Sequence, residues 1–241
     1  MAESDRYSSE AFARARQRIV LALDVDTLDE ALALSERVRA YVGTVKIGLE
    51  LYLAEGPRSV AVLRSIGLEV FLDLKLHDIP TTVERSARVV GGLGARFLTV
   101  HTLGGAQMVR AALNGATAGA EHAGCVPPTV VGVTVLTSDL VAPPEELIRR
   151  VHIAVEGGCG AFVCAAPDLA VVRSRAPHLV AVVPGIRPPG SAKNDQSRTM
   201  TPAMALAKGA DLLVIGRPIT RANVPEEAAL AIVRSVMDAS P

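Results

Sequence analysis

Tryptophan is absent from this chain of 241 residues, and aromatic residues make up only 3% of it. That scarcity argues against a surface built to stack on exposed bases. Neither sign of charge dominates, because Lys plus Arg equals 25 and Asp plus Glu equals 25. Without a bulk field the chain is not built to attract nucleic acid or an acidic membrane surface. The three cysteines, Cys125, Cys159 and Cys164, are an odd number without metal-ligand spacing. They are expected to be reduced thiols serving as small apolar filler in a cytoplasmic protein. No apolar run approaches the length of a membrane span. The opening stretch "MAESDRYSSEAFARARQR" carries charges throughout and lacks the apolar centre of a signal peptide. A soluble, cytoplasmic chain is expected.

What is present is aliphatic. Hydrophobic residues make up 49% and charged ones 21%, so Val, Leu, Ile and Ala must build the core. Short β-branched runs recur: "RIVLALDV", "GTVKIGLE", "EVFLDLKL", "ARFLTVHT", "TVVGVTVLT", "AFVCAA", "LVAVVPGI" and "DLLVIGRP". They are apolar almost throughout, as parallel strands covered on both faces require. Segments with helical spacing lie between them. One opens with a Thr27–Glu30 capping box, and another follows Thr201 and Pro202, a cap residue and then a first-turn proline. "GLGARFLTV", "GGCGAFVCA" and "AKGADLLVI" each place Gly-Ala where a helix gives way to a strand, with Gly expected in the left-handed position.

Eight strands alternating with helices predict a single-domain (β/α)8 TIM-type barrel over residues 18–241, preceded by an N-terminal extension over residues 1–17. A doubly wound open sheet is the alternative, since strand order cannot be read from the sequence. In a barrel, chemistry belongs where strands end. Polar residues gather there: Asp24, Lys46, Asp73 with Lys75, His101, Thr137 with Ser138, Arg187 and Arg217.

The stretch "FLDLKLHDIPTT" is the sharpest of these sites. Residues two apart on a strand face the same way, so Asp73 and Lys75 should both point into the barrel mouth. Asp78 follows the strand, Pro80 turns the chain, and Thr81 with Glu84 is placed to cap the next helix. An Asp–Lys pair alone serves equally well as a structural ion pair. Lys46 on the neighbouring strand changes the balance, because two amines and two acids at one mouth are hard to explain as packing. Flanking carboxylates favour the charged form of Lys75, which is wrong for a Schiff-base amine. An intervening ammonium would repel a divalent cation between the acids. The remaining role is electrostatic: a fixed positive charge beside a developing carbanion, able to protonate it. This points to decarboxylation or proton transfer without a cofactor. A second cluster, "VVPGIRPPGSAKNDQSRTMTP" and "VIGRPIT", falls where barrels commonly bind phosphate. Gly216 would offer backbone N–H groups, Arg217 a bidentate clamp, and residues 185–199 a loop able to close.

Together "LALDVDT", "VKIGLE", "DLKLHDIPTT", "VTVLTS", "PGIRPPGS…DQ…TP" and "IGRPIT" resemble, in order from about residue 18 to residue 221, the bacterial orotidine 5′-phosphate decarboxylases. The resemblance implies conversion of orotidine 5′-monophosphate to UMP and CO2, the last step of pyrimidine nucleotide synthesis, with no cofactor and no metal. It implies Lys75 as the proton donor to C6, with Lys46, Asp73 and Asp78 completing the charged network. Asp24 and Lys46 would contact the ribose, and Thr137 and Ser138 the pyrimidine. Arg187, Gln196, Gly216 and Arg217 would hold the phosphate side. It also implies a homodimer in which Asp78 and Thr82 reach the partner's site. A sister group, the Mg2+-dependent keto-sugar-phosphate decarboxylases and hexulose-phosphate synthases, shares D-x-K-x-x-D but carries Glu at the strand-two position, where this chain has Lys46. A catalytically silent nucleotide-binding protein is the rival from another class. His77, His101, His122, His152 and His178 have no metal-ligand spacing and are assigned no role.

Overall fold

The computed structural model describes residues 9–136, 143–188 and 199–239. Thr137, Ser138, Gln196 and the middle of the 185–199 segment lie outside them. Eight parallel strands close into a barrel in sequence order: β1 (Ile19–Leu23), β2 (Thr44–Ile47), β3 (Glu69–Leu76), β4 (Phe97–His101), β5 (Thr129–Val133), β6 (Ala161–Val163), β7 (Val180–Val183) and β8 (Leu212–Ile215). Each coincides with one of the eight apolar runs. Closure is made by β1 pairing with β8, Ile19 opposite Leu213. This excludes the open sheet.

Closure explains why the strands lack polar alternation. Val20, Ala22, Phe71, Phe97, Val131, Ala161 and Val182 pack inside the barrel. Their neighbours Ile19, Leu21, Leu23, Val70, Leu72 and Leu98 pack outwards in the layer beneath the helices. Both faces exclude water, so both must be apolar. The Phe71 and Phe97 rings meet at 5.5 Å and fill the interior. The registers align Ala22, Lys46, Phe71 and Phe97 in one row. Two residues further along these strands stand Asp24, Gly48, Asp73 and Thr99, at the open end.

Local signals account for most helix boundaries. Thr27 caps α2 (Leu28–Val38) by accepting from the N–H of Glu30 at 3.3 Å. Thr201 does the same for Met204 at the start of α9 (Pro202–Ala207), whose first residue is the proline. The Thr81–Glu84 capping box does not form. Pro80, pre-set for a first helical turn, opens α5 (Pro80–Gly91) directly after an extended Ile79, which leaves Thr81 and Glu84 inside the helix. Of the three Gly-Ala joints, Gly94 (φ 73°) and Gly209 (φ 95°) are left-handed as expected. At the third, Gly158 (φ 86°) ends α7 (Pro144–Gly157) instead. Gly160 has a different constraint: a Cβ there would lie 2.8 Å from Thr129 Cγ2.

Residues 9–17 form a helix, α1 (Ser9–Gln17), with Ala15 buried and Phe12 edge-on to Tyr41. Among the described residues no helix is long and apolar enough to cross a membrane.

Candidate active site

A cavity of about 230 Å3 opens at the carboxyl ends of the strands. Ala22, Phe71, Val163, Val182 and Val214 contribute apolar wall, while Asp24, Lys46, Asp73, Lys75, Arg187, Gly216 and Arg217 supply polar lining. Seven of the predicted residues therefore meet in one place. The cause is topological: β1, β2 and β3 are adjacent, and closure brings β8 alongside β1.

The acidic and basic groups form a continuous chain. Lys46 Nζ lies 3.8 Å from Asp24 Oδ1 and 3.3 Å from Asp73 Oδ2. Lys75 Nζ donates to Asp73 Oδ1 at 2.9 Å. The side chains of Lys46 and Asp73 are 13% and 14% exposed, against 64% for Asp24, so the chain runs from the interior to the rim. Burial pushes the Asp73 carboxyl up. The charges of Lys46 and Lys75, with hydrogen bonds from Lys75 and Thr99, outweigh it and hold that carboxyl below the usual range. Asp73 is thus kept ionised inside the barrel by two ammoniums.

Strand parity correctly put Asp73 and Lys75 on the cavity, although the backbone between them is not a regular strand. Leu72 pairs with Leu98 but Leu76 pairs with Val100, so residues 73–75 of β3 face the single residue Thr99 of β4. Lys75 takes φ 49°, and is the only non-glycine among the described residues with positive φ. Such a conformation is disfavoured for a side chain with a Cβ and persists where its surroundings over-determine it. Thr99 is part of those surroundings. Its hydroxyl accepts the Lys75 N–H at 2.8 Å and donates to Asp73 Oδ1 at 3.1 Å. Sequence reasoning passed over Thr99 because it sought polar groups at strand ends. The signal was available: Thr99 is two residues beyond Phe97 and shares its inward face.

Asp78 and Thr82 are not brought to this cavity. Both are exposed, and Asp78 Oδ1 accepts the adjacent Ile79 N–H at 2.6 Å. The second acid of the mouth within one chain is Asp24. The His77 and His101 rings lie 5.6 Å apart at a tilt of 30°, and neither lines the cavity.

On the far side the two ends of the 185–199 segment are tied together. Arg187 N–H donates to Met200 O at 2.9 Å, and Met200 N–H to Gly185 O at 3.3 Å. The Arg187 side chain is buried, with Nη1 donating to Ile186 O. Gly216 stands close to Asp24 across the closure, where a Cβ would lie 3.4 Å from its Oδ2. Arg217 begins the short helix α10 (Arg217–Thr220).

A family model described as Orotidine 5'-phosphate decarboxylase / HUMPS family matches residues 17–232. The chain belongs to that family. The orotidine 5'-phosphate decarboxylase of Anaeromyxobacter sp. (strain K) is 46% identical over 227 residues, covering 90% of this chain and 96% of its own length. That of Thermobifida fusca (strain YX) is 46% identical over 227 residues, covering 89% and 93%. Among solved structures, orotidine 5'-phosphate decarboxylase from Lactobacillus acidophilus superposes with a TM-score of 0.79 at 31% identity, covering 91% of this chain and 99% of that one.

Proposed function

We propose that this protein decarboxylates orotidine 5′-monophosphate to UMP in the cytoplasm, the last step of UMP synthesis. One observation carries the reading: an unbroken Asp24–Lys46–Asp73–Lys75 charge chain shares a cavity with Arg187 and Arg217. The names of the relatives agree with it. The phosphate is assigned to Gly216, Arg217, Arg187 and Gln196, the ribose hydroxyls to Asp24 and Lys46, and the pyrimidine to Thr137 and Ser138. The C6 carboxylate then lies against Asp73.

When the C6–carboxyl bond breaks, its electron pair stays on C6 and CO2 departs. That vinylic carbanion has no conjugated sink, so its stabilisation must come from the protein. The Lys75 ammonium supplies it by standing beside C6 and then transferring a proton to it; solvent later restores that proton. A site already ordered around fixed charges spends little reorganisation energy at that moment. Phosphate binding, remote from C6, provides energy that can organise the reacting end.

Lys46 favours this reading over the Mg2+-dependent sister reaction. Its ammonium stands between two carboxylates, so they are neutralised by the protein itself. Ultraviolet monitoring of substrate consumption by purified protein tests the assignment, with turnover expected to survive exhaustive chelation. Activity lost on chelation and restored by Mg2+ would move the protein to the sister group.

The proposal includes a homodimer in which Asp78 and Thr82 complete the partner's site. Leu49, Leu53, Ile79 and Leu103, in successive connections after β2, β3 and β4, are exposed apolar side chains around this corner. Mixing inactive Lys75→Ala and Asp78→Ala subunits is then expected to restore about a quarter of all sites, since half the dimers are mixed and one of their two sites is intact. Proven mixed dimers without activity would mean that Asp78 works within its own subunit and would refute the shared site.

A further inference from the structure

Thr99 is 0% exposed, and its hydroxyl touches two elements of the charge chain without belonging to it. A hydroxyl has one proton. Because the Lys75 N–H can only donate, Thr99 Oγ1 must accept there, and its own proton is directed at Asp73 Oδ1. Asp73 Oδ1 therefore receives Lys75 Nζ and Thr99 together, while Oδ2 is left facing Lys46. The same oxygen atom of Thr99 serves the irregular stretch where three residues of β3 oppose one of β4.

We propose that Thr99 is a positioning residue for the decarboxylation: its hydroxyl holds Lys75 in its left-handed backbone conformation and locks the Asp73 carboxylate between the two ammoniums. The inference rests on the function proposed above and deepens it. Without the hydroxyl, the Lys75 N–H loses its acceptor inside the barrel and the strained turn loses a restraint. The Asp73 carboxylate also becomes freer to rotate. A small displacement of the Lys75 amine is costly when the amine must meet one carbon atom of the substrate.

Threonine suits the task better than serine, because branching at Cβ restricts the rotation that aims its oxygen. Thr99→Val keeps the shape and deletes both hydrogen bonds, whereas Thr99→Ser keeps both.

Thr99 also bears on the titration of Asp73. The charged groups facing that carboxylate are Lys46 from β2 and Lys75 from its own strand, with Asp24 beyond Lys46. Burial raises the Asp73 carboxyl, and the ammoniums and hydrogen bonds lower it further than burial raises it. Deleting the Thr99 donor removes one lowering contribution, so Asp73 takes up its proton at a higher pH. The acid limb of kcat therefore moves upwards.

The test compares the full-length protein with Thr99→Val and Thr99→Ser, using orotidine 5′-monophosphate turnover, KM, UMP affinity and the pH profile. Thr99→Val is expected to lower kcat about ten- to a hundredfold, as loss of a hydrogen bond to a charged group implies. KM and UMP affinity should stay within about threefold, because the phosphate and ribose contacts remain. Thr99→Ser should stay within about threefold of the parent kcat and keep its acid limb. A merely structural role would lower the melting temperature and leave kcat and the acid limb in place, which would overturn the proposal. So would a Thr99→Ser protein as impaired as Thr99→Val. Should Thr99→Val fail to fold, Thr99→Ala replaces it with the same expected kcat loss and acid-limb shift, and Thr99→Ser remains the rescue. A parent protein inert towards the substrate would sink the function itself. An active parent matched by a folded Thr99→Val or Thr99→Ala would sink only this inference.

Discussion

The two ends of the barrel both carry charge, but they use it in opposite ways. At the end where strands begin, Arg173 directs all five of its N–H donors at fixed partners. These are the carbonyls of Gly209, Pro177 and Leu179 and the carboxylate of Asp211, which also accepts the Ala181 N–H. Every contact closes on backbone or a neighbour at the entries to β7 and β8. At the end where strands finish, Lys46 and Lys75 meet Asp73 beside an open cavity. A charge enclosed by strand-entry carbonyls works for the fold. Under the proposed function, charges that hold one another beside a partly apolar cavity work for the substrate. The difference lies in where their remaining capacity points, since both ends use ordinary ion pairs.

Three substitutions can break or sharpen that contrast. Lys75→Ala has the largest expected effect: kcat should fall by about 10⁴-fold or more, since proton delivery and charge stabilisation are lost together. UMP should still bind, which titration calorimetry would show. Substantial residual turnover would turn Lys75 into a structural partner of Asp73 and erase the contrast. Arg217→Ala is next, with about 2–5 kcal/mol lost from kcat/KM for the phosphorylated substrate. Its melting temperature should hardly change, and unaltered kinetics would eliminate the phosphate clamp. Arg173→Ala should cost about 1–3 kcal/mol of stability in denaturant unfolding, because several carbonyls lose a charged donor. Its kcat in the folded protein should equal the parent's. A lower kcat at full occupancy of the native state would mean that the two ends are coupled.

Within the upper end there is a second contrast, between the groups read by position and the group read by partners. Asp73, Lys75, Arg187 and Arg217 are polar residues where strands end, and that placement, with Lys46 on the neighbouring strand and two loops in the expected order, singled them out. Thr99 shares the row of Asp24 and Asp73 but lies inside a strand otherwise made of Phe, Leu, Val and a terminal His, and looks like a strand-forming filler. Its importance comes from the slipped register beside it. Arg173 was equally invisible, since a helix-end arginine followed by "SRAPHL" carries no sign of which carbonyls it will meet.

The amino-acid sequence by itself determined that eight strands alternate with helices. Eight two-face apolar runs separated by helix-period segments demand parallel strands covered on both sides, and Thr27, Thr201 and Pro202 mark helix starts through forces that act within a few residues. It also determined part of the inventory of the mouth, because two-residue alternation puts Asp73 inwards and strand ends put Asp24, Arg187 and Arg217 beside it. Only the tertiary structure decided that the sheet closes, setting Gly216 beside Asp24 across the β1–β8 seam. Only it decided that Lys75 reaches the cavity through a left-handed turn held by Thr99, and that Asp78 leaves the cavity of its own chain. The physical reason is range: caps and periodicity depend on neighbours along the chain, whereas register, closure and ion pairing depend on residues that meet only after folding.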